Sequence, residues 1–273
     1  MTCIGVQIFK QPNQQKCKLS LVLIKISPLQ NESNSRIPKR PSYSLWLLRG
    51  LAWLVLSAGL STLLITAAYR WINPPYTWLM VERYIWGDET RLKAIQHDWV
   101  NLDSIPNHMV LAVVAAEDNL FMTHWGFDFK SIKEAREEML QGKRVRGAST
   151  ISMQVAKNVF LWHGRTWTRK VLEAGFTILV EVIWGKQRIM EVYLNVAEFG
   201  PSIYGVEAAS QEFFKSQASE LTRQQAAMLT TVLPNPLRRN PAKPSQYMRT
   251  YQQHVLRNMN NIGEISLEKN TSN

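Results

Sequence analysis

The pattern of apolar and polar positions divides the chain into one long charge-free run and a series of amphipathic segments. Residues 50–69, GLAWLVLSAGLSTLLITAAY, hold twenty positions without a charge, bounded by Arg49 and Arg70. At about 1.5 Å rise per residue, such a helix covers the ~30 Å hydrocarbon core of a bilayer. Buried helices of soluble domains are rarely charge-free for so long. The run also exceeds the usual apolar region of a cleaved signal peptide, and a long polar stretch precedes it. The spacing predicts a membrane anchor over 44–70, after a tail (1–43) whose polar residues and Pro28, Pro38 and Pro41 read as disordered. Beyond the span, Trp71, Pro74, Pro75, Tyr76, Trp78 and Leu79 form an aromatic, proline-broken stretch suited to a membrane interface.

From about residue 106 the period becomes helical. Pro106 precedes Met109, Val110, Val113 and Val114 at helix spacing, which predicts a helix running into Glu117. Further helices are predicted at 129–141, 150–158, 166–184, 186–197, 205–214, 222–232 and 245–261. Thr222 with Gln225 has the form of a capping box, and Gly263 follows the last helix. Strand signals are weak, so the fold class is mainly α.

Composition sharpens this picture in three ways. Hydrophobic residues make up 45% and charged ones 19%, which excludes disordered and collagen-like classes. Net charge is +11, of which +7 lies in residues 1–49. That excess of Lys and Arg places the N-terminus in the cytoplasm and everything after residue 70 outside the membrane. The mildly basic remainder suits anionic lipid or pyrophosphate and gives no argument for nucleic acid. Both cysteines, Cys3 and Cys17, lie in the tail, so the folded part has no disulfide framework and no thiolate metal site.

Four strings carry candidate chemistry. The first runs from Glu117 and Asp118 through His124 to Gly126 and Asp128. A carboxylate pair at the end of an apolar helix sits where burial raises a pKa toward general-base use. The second, Gly147 to Asn158, opens a helix with a glycine and hydroxyl residues, the form of an anion-binding N-terminus, with Lys157 downstream. Ala148 stands where a P-loop needs lysine, which rejects a nucleotide triphosphate site. In the third, Arg165 to Glu173, Arg169 and Lys170 lie four and three residues before Glu173 and share its helix face. In the fourth, Lys186 to Ala209, Glu191, Asn195 and Glu198 recur on one polar face; their residue types read as structural, for capping and helix-to-helix hydrogen bonding.

The order and spacing of these strings resemble the family 51 glycosyltransferases, the peptidoglycan polymerases, and most closely their monofunctional biosynthetic members. The resemblance covers roughly residues 75 to 245. It implies a lysozyme-like, mainly helical glycosyltransferase domain over 71–245 with a small membrane-facing jaw, followed by a C-terminal helix and tail over 246–273. It implies that Glu117 is the base that deprotonates the 4-hydroxyl of the acceptor sugar, and that Glu173 assists departure of the lipid pyrophosphate. Lys157, Arg165 and Arg169 match basic positions around that pyrophosphate. Ser149, Gln154 and Asn158 match positions lining the sugar and phosphate sites, and Asp118 and His124 join the substrate-binding set. Glu191, Asn195, Gly200 and Gly205 belong to the structural motif. The substrate implied is lipid II with the growing glycan chain, joined with inversion to β-1,4 strands with release of undecaprenyl pyrophosphate. Implied partners are membrane lipids and other cell-wall synthesis or division proteins, and the implied location is the periplasmic face of a bacterial inner membrane. No cofactor is required; a divalent cation, Mg2+ or Mn2+, at Glu173 is left open.

Three other readings are weighed. A membrane-anchored glycan-cleaving enzyme also uses two carboxylates, but Lys157, Arg165, Arg169 and Lys170 argue for an anionic leaving group. A non-catalytic wall-binding subunit would tolerate loss of Glu117 or Glu173. A polymerase with an added transpeptidase domain fails on length: Ser266-Leu267-Glu268-Lys269 matches Ser-x-x-Lys with only four residues after it, and no Lys-Thr-Gly occurs. No Asp-x-Asp is present either, which disfavours a metal-dependent nucleotide-sugar transferase.

Overall fold

A computed structural model describes residues 43–86, 94–142, 147–164, 166–265 and 267. The expected tail over 1–43, apart from its last residue, and Arg165 lie outside the described residues. Contacts divide the chain into Met1–Leu48 and Arg49–Asn273. Of the first unit, the described part is the opening of helix α1.

Helix α1 spans Tyr43–Ala68. Its stretch Leu45–Ala68 is long and apolar enough to cross a membrane. Leu47, Trp53, Leu56, Leu60 and Leu64 are all exposed on it, as a lipid-facing helix requires and a soluble core helix does not. The helices that follow are α2 (Trp78–Trp86), α3 (Asn107–Glu117), α4 (Phe129–Leu140), α5 (Ile151–Phe160), α6 (Trp167–Val196), α7 (Val206–Phe214), α8 (Arg223–Thr230) and α9 (Gln246–Ile262). Every helix predicted from periodicity is present within a few residues of its expected bounds. The two predicted over 166–184 and 186–197 form α6, broken at Gly185, which has φ 75° and ψ 170°. That conformation is open to glycine and not to an L side chain, so the residue that separated the two patterns also bends the helix. Thr222 and Gln225 make the expected capping box on α8, and Gly263 caps α9.

Among the described residues there are three short strands. They are β1 (Gln96–His97), β2 (Glu198–Gly200) and β3 (Ile203–Tyr204). The order is β1-β3-β2, with β1 parallel to β3 and β2 antiparallel to it. Two or three residues carry too little alternation to register as a strand pattern, which is why the sequence signal was weak.

The core forms around α3. Met109 to Ala115 are buried without interruption, so this helix has no solvent face. α8 and α9 pack on it, and α5 and α6 pack on one another as the second wall. Asn195 ties the halves together: its amide oxygen accepts from Val100 N at 2.8 Å, and its NH2 donates to Val100 O and Glu191 O at 2.8 Å each. Arg188 fastens the chain leaving the membrane helix, donating to Tyr69 O and Ile72 O at 3.0 Å and pairing with Glu191 at 3.0 Å. Trp184 Nε1 donates to Thr66 O at 2.7 Å.

Gly205, the N-cap of α7, sits at φ 83° and ψ 159°, a region held almost only by glycine. A Cβ there would lie 2.7 Å from the backbone oxygen of Asn195. Gly205→Ala is therefore expected to destabilise the fold by about 2 kcal/mol or more, from backbone strain plus the clash. Thermal unfolding should show a clearly lower midpoint. An unchanged midpoint would mean that the α6–α7 approach is looser than the geometry requires.

Candidate active site

The site grows out of the end of α3. Glu117 is the last residue of that apolar helix, and the chain leaves it at Asp118 with φ −159° and ψ 78°. Burial pushes the Glu117 carboxyl above the usual range, and neighbouring Asp118 pushes the same way. The negative end of the α3 dipole acts in the same sense. Gln154, Lys157 and Arg239 oppose the shift. Gln154 Nε2 donates to Glu117 Oε2 at 2.8 Å, and Tyr193 O–H donates to Gln154 Oε1 at 3.3 Å. Tyr193 is fully buried. Its hydroxyl occupies the amide oxygen and so turns the NH2 toward the carboxylate.

Asp118 has a different task. Its carboxylate accepts from Ile151 N at 3.0 Å, at the start of α5, and from His124 Nε2 at 2.9 and 3.0 Å. Asp118 and His124 thus brace each other and hold the N-terminus of α5 against the end of α3. Thr150, not Ser149, caps α5: its hydroxyl accepts from Met153 N at 3.2 Å and donates to Gly126 O at 2.6 Å. Ser149 stays exposed at the rim, beside Gly147 and Ala148.

Gln154, Lys157 and Asn158 share one side of α5, three and four residues apart. Asn158 is buried, and its side-chain amide makes no hydrogen bond among the described residues. Lys157 makes no ion pair within 4 Å among the described residues, yet its ammonium feels both glutamates. Burial lowers its pKa, while Glu173 and Glu117 pull it back up. An ammonium set between two carboxylates and paired to neither is free to take an anion.

Glu173, on the first half of α6, is buried. Arg169 Nη1 and Lys170 Nζ each hold one of its oxygens, as the helix spacing predicted. Arg169 Nε also donates to Gly164 O at 2.6 Å, and Thr166 caps the helix. With both Glu173 oxygens held by cations, and no group of three His, Cys, Asp or Glu side chains together among the described residues, this donor set does not fit a divalent ion.

Helix α2 contributes residues that the sequence reading missed. Arg83 Nη2 donates to Glu198 Oε2 at 3.1 Å, and Glu82 accepts from His163 N at 2.7 Å. Burial pushes the Glu198 carboxyl up, against Arg83 and Lys157. Arg83 and Glu198 are 115 positions apart, a separation that leaves no periodic trace. Among the site residues read from sequence, Glu117, Gln154, Lys157, Glu173 and Arg169 are brought together, and Glu191, Asn195, Gly200 and Gly205 lie in the framework behind them. Glu117, Asp118 and Ser149 open onto a cleft of about 500 Å³ that α4 and α9 also line.

Residues 87–260 match the family model described as Transglycosylase. The chain belongs to the transglycosylase family. A biosynthetic peptidoglycan transglycosylase of Aeromonas hydrophila is 45% identical over 231 residues, which is 84% of this chain and 97% of that protein. One of Xanthomonas campestris is 45% identical over 236 residues, covering 85% and 94%. One of Escherichia coli O127:H6 is 51% identical over 192 residues, covering 69% and 79%. The family expected from the four strings is the family found, and the mainly helical fold expected of this lysozyme-like family is the one described above.

The two glutamates should answer differently to neutralisation. Glu117 has a raised pKa in the fold, so its contribution to stability is fullest below the unfolded pKa and declines as pH rises through the folded value. Glu117→Gln is thus expected to melt at or above the wild-type temperature at pH 7. Glu173→Ala leaves Arg169 with Lys170 and Lys157 and no counter-charge, at a cost of about 3 kcal/mol. Thermal and urea unfolding of the two variants, in detergent, separates the cases. A Glu117→Gln protein less stable than wild type would contradict the burial argument.

Proposed function

We propose that this chain is a membrane-anchored peptidoglycan glycosyltransferase that polymerises lipid II into β-1,4-linked glycan strands. The observation that carries the reading is the placement of one ammonium, Lys157, unpaired among the described residues, between a half-buried, hydrogen-bonded Glu117 and the cation cluster around Glu173. Such a site suits a reaction with two demands: removal of a proton from a weak nucleophile and stabilisation of charge on a departing diphosphate.

Glu117 takes the proton of the acceptor 4-hydroxyl while that oxygen forms the new bond to the donor anomeric carbon. The bond from that carbon to the diphosphate oxygen breaks, and the electron pair leaves with the diphosphate. Attack from the face opposite the leaving group converts the α-linked donor into a β-1,4 bond. Gln154 holds the carboxylate in one orientation, and Tyr193 fixes Gln154. A positioned base contributes on the order of 10²–10⁴-fold. Lys157 and Arg169, with Arg165 in the same string, meet the developing negative charge at the other end. Glu173 keeps Arg169 and Lys170 aimed and prevents them from repelling Lys157. Ser149 and Asn158 have unengaged polar groups for the sugar and phosphates. A hydrolase acting on a neutral glycan has no use for this cation set, which disfavours the glycan-cleaving alternative.

The membrane side of the reading rests on α1 and α4. α1 has the length and apolar surface of a single span, and the Lys and Arg excess before it supports a cytoplasmic N-terminus; the resemblance to the monofunctional polymerases extends this to catalytic residues on the periplasmic face of a bacterial inner membrane. No residue of α4 is buried, and Phe129, Met139 and Leu140 are exposed on it. That suits the small membrane-facing jaw implied by the resemblance.

Two outcomes are expected with labelled lipid II and detergent-solubilised full-length protein. Glu117→Gln should lower polymer formation by about 100-fold or more while leaving lipid II binding intact. Gln154→Ala removes a hydrogen bond that holds the Glu117 pKa down, so its activity should fall off at higher pH than the wild type's as the medium is acidified. If Glu117→Gln polymerises at near wild-type rate, another group is the base.

A further inference from the structure

We propose that the outer face of α9, formed by Tyr247, Tyr251 and His254, is a platform that binds the glycan strand next to Glu117 and retains it between additions. This rests on the glycosyltransferase reading of the same cleft and adds to it a binding surface on the C-terminal helix.

Helix α9 is stapled to the end of α3. Met248, Val255 and Met259 bury its inner face. On the adjoining side Tyr251 O–H donates to Ala116 O and Asn258 Nδ2 to Ala115 O, each at 3.2 Å. These carbonyls belong to the residues just before Glu117, so α9 runs outward from the catalytic carboxylate. Tyr251, His254 and Asn258 line the same cleft as Glu117 and Ser149. Arg239 carries the surface further: its guanidinium lies 5.0 Å from the Tyr247 ring centre, and its charge reaches Glu117.

The rings form a series. Tyr247 and Tyr251 are nearly parallel (22°) with centres 6.2 Å apart, and Tyr251 and His254 repeat the arrangement at 16° and 6.2 Å. At that separation parallel rings are offset, which leaves their faces partly uncovered. Folding explains only one of the three. Tyr251 holds α3, whereas Tyr247 is 61% exposed and His254 is exposed. The first and last of the three positions are seven residue steps apart, about 10 Å along the helix, comparable with two linked sugar rings.

The chemistry of the surface selects its ligand. A pyranose ring has an apolar C–H face and a rim of hydroxyls, and it packs on an aromatic face flanked by hydrogen-bonding groups. Tyr and His rings with polar tips, beside Asn258 and Arg239, meet that description. A lipid tail calls for aliphatic side chains, and the line of the stripe has none. A strand lying here after transfer stays beside Glu117 for the next addition, so the platform sets how many additions occur before release.

The test uses full-length protein in detergent and a soluble glycan hexamer stripped of lipid and stem peptide. Isothermal titration should show that Tyr247→Ala binds the hexamer about threefold to tenfold more weakly than wild type, the effect of one aromatic contact. With labelled lipid II, the same variant should give shorter strands on gels, and Tyr247→Trp should restore both binding and length. Because Tyr247 is exposed, circular dichroism should show the variant folded. Wild-type binding of the hexamer by Tyr247→Ala, or strands of wild-type length, would overturn the platform. Tight binding of a free stem peptide with no binding of the hexamer would overturn it as well, assigning the surface to peptide. Hexamer binding by a wild-type protein that forms no polymer would instead overturn the glycosyltransferase reading and leave the platform standing.

Discussion

The arrangement depends on a helix with no solvent face that ends in a carboxylate. From Met109 to Ala115 every side chain of α3 is buried, so α3 forms only when α8 and α9 cover it. The hydrophobic effect supplies this association, at roughly 25 cal/mol per Å² of apolar surface removed from water. Its by-product is a glutamate at the helix end in an environment that disfavours its charge. The fold answers with one hydrogen bond from Gln154 and one nearby ammonium, and both leave the carboxylate available for a proton. A direct ion pair would hold the pKa down and make a poorer base.

The second glutamate is handled in the opposite way. Glu173 lies deeper than the half-buried Glu117 and is held by Arg169 and Lys170, which it needs to keep in register. Two carboxylates of one chain thus have different partners, one a neutral amide and the other two cations. Lys157 stands between them because α5 packs against α6 and its own N-terminus is locked to Asp118. The same lock keeps the sequence-adjacent Glu117 and Asp118 in separate roles, one facing the cleft and the other bracing it.

The membrane helix enters this scheme through backbone contacts. Trp184 and Arg188, on either side of the break at Gly185, donate to carbonyls at the end of α1 and just beyond it. These carbonyls are helix-terminal acceptors without partners of their own. Satisfying them from α6 joins the point where the chain leaves the span to the helix that carries Glu173.

The sequence by itself determined whatever is local. Twenty charge-free residues mark a span, apolar positions at helical period mark each helix, and the capping box of α8 and the Arg169–Lys170–Glu173 face follow from separations of three and four. It also placed Glu117 at a helix end and put Asn195 and Glu191 in the framework. The tertiary structure decided which distant groups meet: Gln154 with Glu117 across 37 positions, Arg83 with Glu198 across 115, and Tyr251 with Ala116 across 135. It also tied the α5 cap, Thr150, to the Gly126 carbonyl across 24 positions. Local periodicity reports the face a residue occupies, because helix geometry repeats over a few residues. It does not report what that face will meet, because the partner is chosen by packing of the whole core.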